Sequence, residues 1–71
     1  MTAMAIRSRV AFIMEEKGVT VRELEDGTHL ATQTVIRARK DGEHNIEACS
    51  LRTLKKIAQY LEVPIKDLFE E

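Results

Sequence analysis

Tryptophan is absent from this chain of 71 residues; cysteine and proline occur once each, and glycine only three times. The lone Cys49 excludes an internal disulfide and fits a reducing compartment, where it reads as a small core residue. His29 and His44 fall in turn-like segments, so no metal spacing and no Cys–His catalytic pair is present. No phosphate loop or triad pattern occurs either. No run approaches the ~18 apolar residues of a membrane span. The start MTAMAIRSRV soon becomes charged and amphipathic, unlike a signal peptide. These absences predict a cytoplasmic, non-enzymatic chain with no cofactor, no metal and no membrane contact. The length predicts one domain over residues 1–71, near the lower limit for a self-sufficient core.

Eleven basic residues face twelve acidic ones, for a formal net charge of −1. That total argues against nucleic acid as a partner, but the distribution argues for it. Residues 28–40 carry Arg37, Arg39 and Lys40 and no acid. Residues 51–61 carry Arg52, Lys55 and Lys56 and no acid. The acids gather in Glu23, Glu25 and Asp26, in Asp41, Glu43 and Glu47, and in the tail. Such segregation can give a weakly acidic protein one basic face.

What is present is helical periodicity. Apolar residues at 6, 10, 13 and 14 predict a first helix over about 4–17, ended by Gly18. Phe12 lies off this stripe and either folds over a neighbouring helix or forms part of a dimer surface. Thr20-Val21-Arg22-Glu23 is a capping box that opens a second helix over about 20–27, with Leu24 and Leu30 inward and Asp26-Gly27-Thr28 as its break. A third helix is expected over 32–39, with Val35 and Ala38 inward and Thr32, Gln33, Ile36, Arg37 and Lys40 outward or at the edge. That polar, basic helix suits either a groove or a solvated surface. Residues 40–50 read as a loop anchored by Ile46. Ser50 caps a fourth helix, 51–61, whose stripe is Leu51, Leu54, Ile57, Ala58 and Leu61. Pro64 suits the first position of a short fifth helix with Ile65, Leu68 and Phe69 inward. No strand-like alternation appears, and the expected fold is all-α with five helices.

Two short helices joined by a tight turn form a helix-turn-helix arrangement. From Ile6 to Phe69 the chain resembles the lambda-repressor-like, Cro/Xre-type helix-turn-helix domains. The most specific stretch is SLRTLKKIAQYLEVPIKDLF, residues 50–69; GVTVRELEDGTHLATQTVIRAR matches more loosely. The chain departs from the family pattern at several points. Glu25 stands where a small residue is usual, and His29 where the turn usually has Gly. Ala31 stands where Ser or Thr caps the recognition helix, although Thr32 is an alternative cap one residue later. Val21 replaces a frequent Gln. Met14 and Arg39 stand where the family often has an Arg–Glu pair. Because both partners differ, no half-pair is left; Met14 is free to pack as core, and Arg39 needs water, an acid such as Glu43, or a phosphate.

Carried over by position, the resemblance implies that Thr32, Gln33 and Arg37 contact bases. A lone Gln or Thr on a helix surface is ordinarily just solvated; here three suitable side chains fall together on one helix. The resemblance also implies phosphate contacts from Val21 through its amide, and from Thr34, Arg39, Lys40 and Asn45. The implied function is a sequence-specific transcriptional regulator on double-stranded DNA. The short chain favours a phage or prophage repressor or Cro-like homodimer on a pseudo-palindromic operator. An antitoxin-type autorepressor with a toxin partner, and a helical protein-interaction module that does not bind DNA, are the alternatives.

Overall fold

The structure is a computed structural model that describes residues 6–70. Four α-helices follow in chain order: α1 (Val10–Lys17), α2 (Val21–Thr28), α3 (Thr32–Ala38) and α4 (Leu51–Leu61). Single 3-10 turns occupy Ile46–Ala48 and Ile65–Leu68. Two-residue strands, β1 (Arg7–Ser8) and β2 (Phe69–Glu70), pair antiparallel with Arg7 opposite Glu70 and Ser8 opposite Phe69. Among the described residues the fold is thus mostly helical with four α-helices, not five, and it contains a short ribbon that the sequence pattern does not signal.

The ribbon corrects the expected start of the first helix; of that expectation, residues 4 and 5 lie outside the described residues. Residues 6–8 and the Arg9 amide find their backbone partners elsewhere than in a helix, and only the Arg9 carbonyl accepts from α1, at Ile13 N. The Ile6 amide donates to the Glu47 carboxylate at 3.0 Å, and the Ser8 amide to Asp41 at 2.6 Å. Gly42 donates to the Ile6 carbonyl at 3.0 Å, and Arg9 to the Leu68 carbonyl at 2.8 Å. The Ser8 hydroxyl donates to the Ala38 carbonyl at the end of α3. With these tertiary partners an extended chain leaves few orphan groups, so the apolar spacing at Ile6 does not extend the helix.

The helix boundaries otherwise follow local chemistry. Gly18 closes α1 in the left-handed region at φ 69°, and its amide donates to the Glu15 carbonyl. At α2 both halves of the capping box form: Glu23 N donates to Thr20 Oγ1 at 3.1 Å, and Thr20 N to Glu23 Oε1 at 2.9 Å. Gly27 does not break this helix, which continues to Thr28, whose buried hydroxyl donates to the Leu24 carbonyl at 2.6 Å. The glycine serves close approach instead: a Cβ there would collide with the Tyr60 ring of α4. Ser50 caps α4, accepting from Thr53 N at 3.1 Å.

The expected fifth helix is only a 3-10 turn. Pro64, at φ −65° and ψ 150°, stands before the turn and not inside it, and Phe69 at once leaves for β2. The core joins all four helices and the second turn through Val10, Ile13, Met14, Leu24, Val35, Ile57, Leu61 and Leu68. Each fully buried aliphatic side chain contributes roughly 1.5–3 kcal/mol. Ile46 anchors the loop as expected, and Leu30, Ile65 and Phe69 are half-buried against the core. Leu51 is a correction: it is 69% exposed, because the buried stripe of α4 begins at Leu54. Among the described residues no helix is long and apolar enough to cross a membrane.

Candidate nucleic-acid interface

The turn between α2 and α3 is built around His29, which sits in the left-handed region at φ 59° and donates its amide to the Glu25 carbonyl at 2.8 Å. A side chain there costs more than Gly, and the continuous α2–α3 packing holds it. Leu24 and Val35 are fully buried, and they fix the two helices against each other. This leaves one side of α3 outward. Thr32, Gln33 and Arg37 are exposed there, and Gln33 and Arg37 are four residues apart, on one face. Thr34 is half-buried, and Lys40 is exposed just past the helix end.

Arg39 ends α3 and is half-buried. Its Nε is buried with no hydrogen-bond partner. Glu43, the acid that the sequence offered as a partner, lies instead 3.7 Å from exposed His44. Among the described residues no acid comes within ion-pair distance of Arg37, Arg39 or Lys40. Three cations therefore cluster around the end of α3 without neutralisation, while the following loop carries Asp41, Glu43 and Glu47.

Asn45 is more constrained than the sequence suggests. It is half-buried, donates from Nδ2 to the Asp41 carbonyl at 2.9 Å, and accepts at its own carbonyl from Cys49 Sγ at 3.6 Å. It works first as a loop organiser. Burial pushes the Cys49 thiol up from its ordinary pKa, and the Arg37 charge partly offsets this. Val21, the first residue of α2, is half-buried.

One residue of the site was missed by position-by-position reading. Ala31 gives α3 no side-chain cap, and Thr32 does not take over as cap but is the first helical residue. The Thr32 hydroxyl donates across the turn to the carboxylate of Glu25 on α2. The signal was available: an unusual acid at 25 and a missing cap at 31 are two departures that explain each other. A carboxylate beside the positive end of α3 replaces part of the lost capping.

Among the described residues no group of three or more His, Cys, Asp or Glu is placed to hold a metal ion. A search of curated proteins finds no match to the chain. A family model described as the Cro/C1-type HTH DNA-binding domain matches residues 9–70, which include both helices of the motif and the closing helix and turn. The chain therefore belongs to the Cro/C1-type helix-turn-helix DNA-binding domains, and its class of function is that of a DNA-binding transcription regulator.

Proposed function

We propose that this chain, as a single domain over residues 1–71, is a compact cytoplasmic repressor of the phage, prophage or Cro-like kind that binds a pseudo-palindromic operator as a homodimer. The observation that carries the proposal is the outer side of α3. Exposed Thr32, Gln33 and Arg37 stand beside Lys40 and Arg39, and no acid within the described residues pairs with these cations. An unpaired basic helix end next to uncharged hydrogen-bonding groups matches the two needs of operator binding, phosphate attraction and base discrimination.

In this proposal the start of α3 enters the major groove. Gln33 pairs with adenine and Arg37 with guanine, and each bidentate contact discriminates by roughly 1–3 kcal/mol. Thr32 touches the neighbouring base pair. Lys40, Arg39 and Thr34 bind phosphates, and so does the Val21 amide at the start of α2, where the helix has orphan donors. Asn45 contributes from the loop through the hydrogen that Asp41 leaves free. One recognition helix reads too few base pairs to select an operator, so two copies related by two-fold symmetry place their helices about 34 Å apart.

The test is selection from random duplex DNA at two salt concentrations. Enrichment of a pseudo-palindrome, with affinity falling steeply as salt rises, is the expected result. No enrichment at low salt overturns the proposal and favours a protein-interaction module. A palindrome bound only when a second protein is co-purified would point to the antitoxin variant.

A further inference from the structure

We propose that Glu25 determines specificity at the DNA-reading face by fixing the polarity of Thr32. This deepens the operator proposal and rests on it. Glu25 belongs to α2, is half-buried, and receives the Thr32 hydroxyl proton at the point where α3 begins. A threonine hydroxyl has one proton to donate and two lone pairs that accept. With the proton committed to Glu25, Thr32 faces outward as an acceptor only. An ionised carboxylate is itself acceptor-only, so the pair offers no donor at that point.

The major groove distinguishes base pairs by such polarity. Adenine N6 and cytosine N4 carry amino donors, whereas guanine O6 and N7 and thymine O4 are acceptors. An acceptor-only tip selects an amino group and rejects a bare acceptor. The same negative charge disfavours a phosphate near Thr32, which keeps this end of α3 on bases while Arg39 and Lys40 serve the backbone. A free threonine, able to rotate and donate, makes no such choice.

Three substitutions separate base selection from simple capping. Glu25→Gln keeps an oxygen for the Thr32 proton, loses the charge and adds an amide donor beside it. Glu25→Ala releases the hydroxyl. Thr32→Val removes it and keeps the shape. Each variant is taken through duplex selection, with thermal unfolding followed by circular dichroism as the folding control. The wild type is expected to prefer A or C at one position of each half-site by about tenfold. Glu25→Gln should keep part of that preference, its amide donor diluting the acceptor-only face, and bind random duplex more tightly at low salt. Glu25→Ala and Thr32→Val should reduce the preference to within about threefold at that position alone. Should Glu25→Ala not fold, the contrast between Glu25→Gln and Thr32→Val carries the test. Loss of the preference in both Glu25 variants, or in neither, overturns this inference and leaves the operator proposal standing. A wild-type protein that enriches no sequence overturns both.

Discussion

Arg39 concentrates the tension between stability and function in one side chain. Its Nε is buried without a partner, and such an unsatisfied donor costs about 1–3 kcal/mol. Arg39→Met removes the donor and keeps most of the apolar volume, so urea unfolding should show a protein at least as stable as the wild type. The same variant should show a shallower dependence of DNA affinity on salt. An unchanged salt dependence would remove Arg39 from the phosphate-binding set. Gly27 makes the opposite case. Gly27→Ala forces the exposed Tyr60 ring aside, a penalty that should offset most of the roughly 1 kcal/mol that alanine gains as the better helix former. In a Tyr60→Ala background most of that penalty should vanish, a coupling that a double-mutant cycle measures. Cys49 gives a pH-dependent prediction. Its raised thiol pKa means that the folded chain holds the proton more tightly than the unfolded chain. That stabilisation is complete below the unfolded-state pKa and is lost as pH rises through the folded one. Unfolding measured on the alkaline side should show a decline that Cys49→Ala lacks, and Arg37→Ala should slow alkylation of the thiol.

At the scale of elements, two faces of α4 make a comparison. Leu51 is exposed and Leu54 is buried. Leu54→Ala should therefore cost about 2–5 kcal/mol, whereas Leu51→Glu should stay within about 0.5 kcal/mol of the wild type by urea unfolding. An equal cost at both positions would restore the stripe that periodicity implies. The same comparison explains what was legible in the sequence. The capping box at Thr20, the left-handed end at Gly18, the cap at Ser50 and the buried Met14 are local or periodic signals, and the structure has them all; the left-handed turn at His29 follows from the family resemblance, where Gly is usual. The ribbon was not legible, because Arg7–Ser8 meets Phe69–Glu70 only after the whole chain has folded, and two residues are too few to show alternation. Gly27 looked like a breaker because its reason, the Tyr60 ring, lies more than thirty residues away. Pro64 marked the right place but the wrong length: the segment after it makes one 3-10 turn before Phe69 pairs in β2. The side chains of α3 were assigned by position. The structure leaves Thr32, Gln33 and Arg37 exposed, half-buries Thr34 and Arg39, and engages Asn45 in its own loop.

At the scale of the whole molecule, net charge is a poor guide to partner. The chain totals −1, yet the end of α3 gathers Arg37, Arg39 and Lys40 free of ion pairs among the described residues. The acids nearest in the chain lie in the loop after α3 and on α2, where Glu25 accepts from Thr32. The central claim is that α3 divides its work, with Arg37 reading a base and Lys40 holding the backbone. The most direct test is the affinity of wild type, Arg37→Ala and Lys40→Ala for the selected duplex and its single-base variants, across a salt series. Arg37→Ala should lose about 1–3 kcal/mol on the selected site and cease to discriminate at one base pair per half-site. Lys40→Ala should weaken all sequences alike and lower the salt slope by about one per protomer. Uniform weakening by both variants, or no effect of either, would contradict the account.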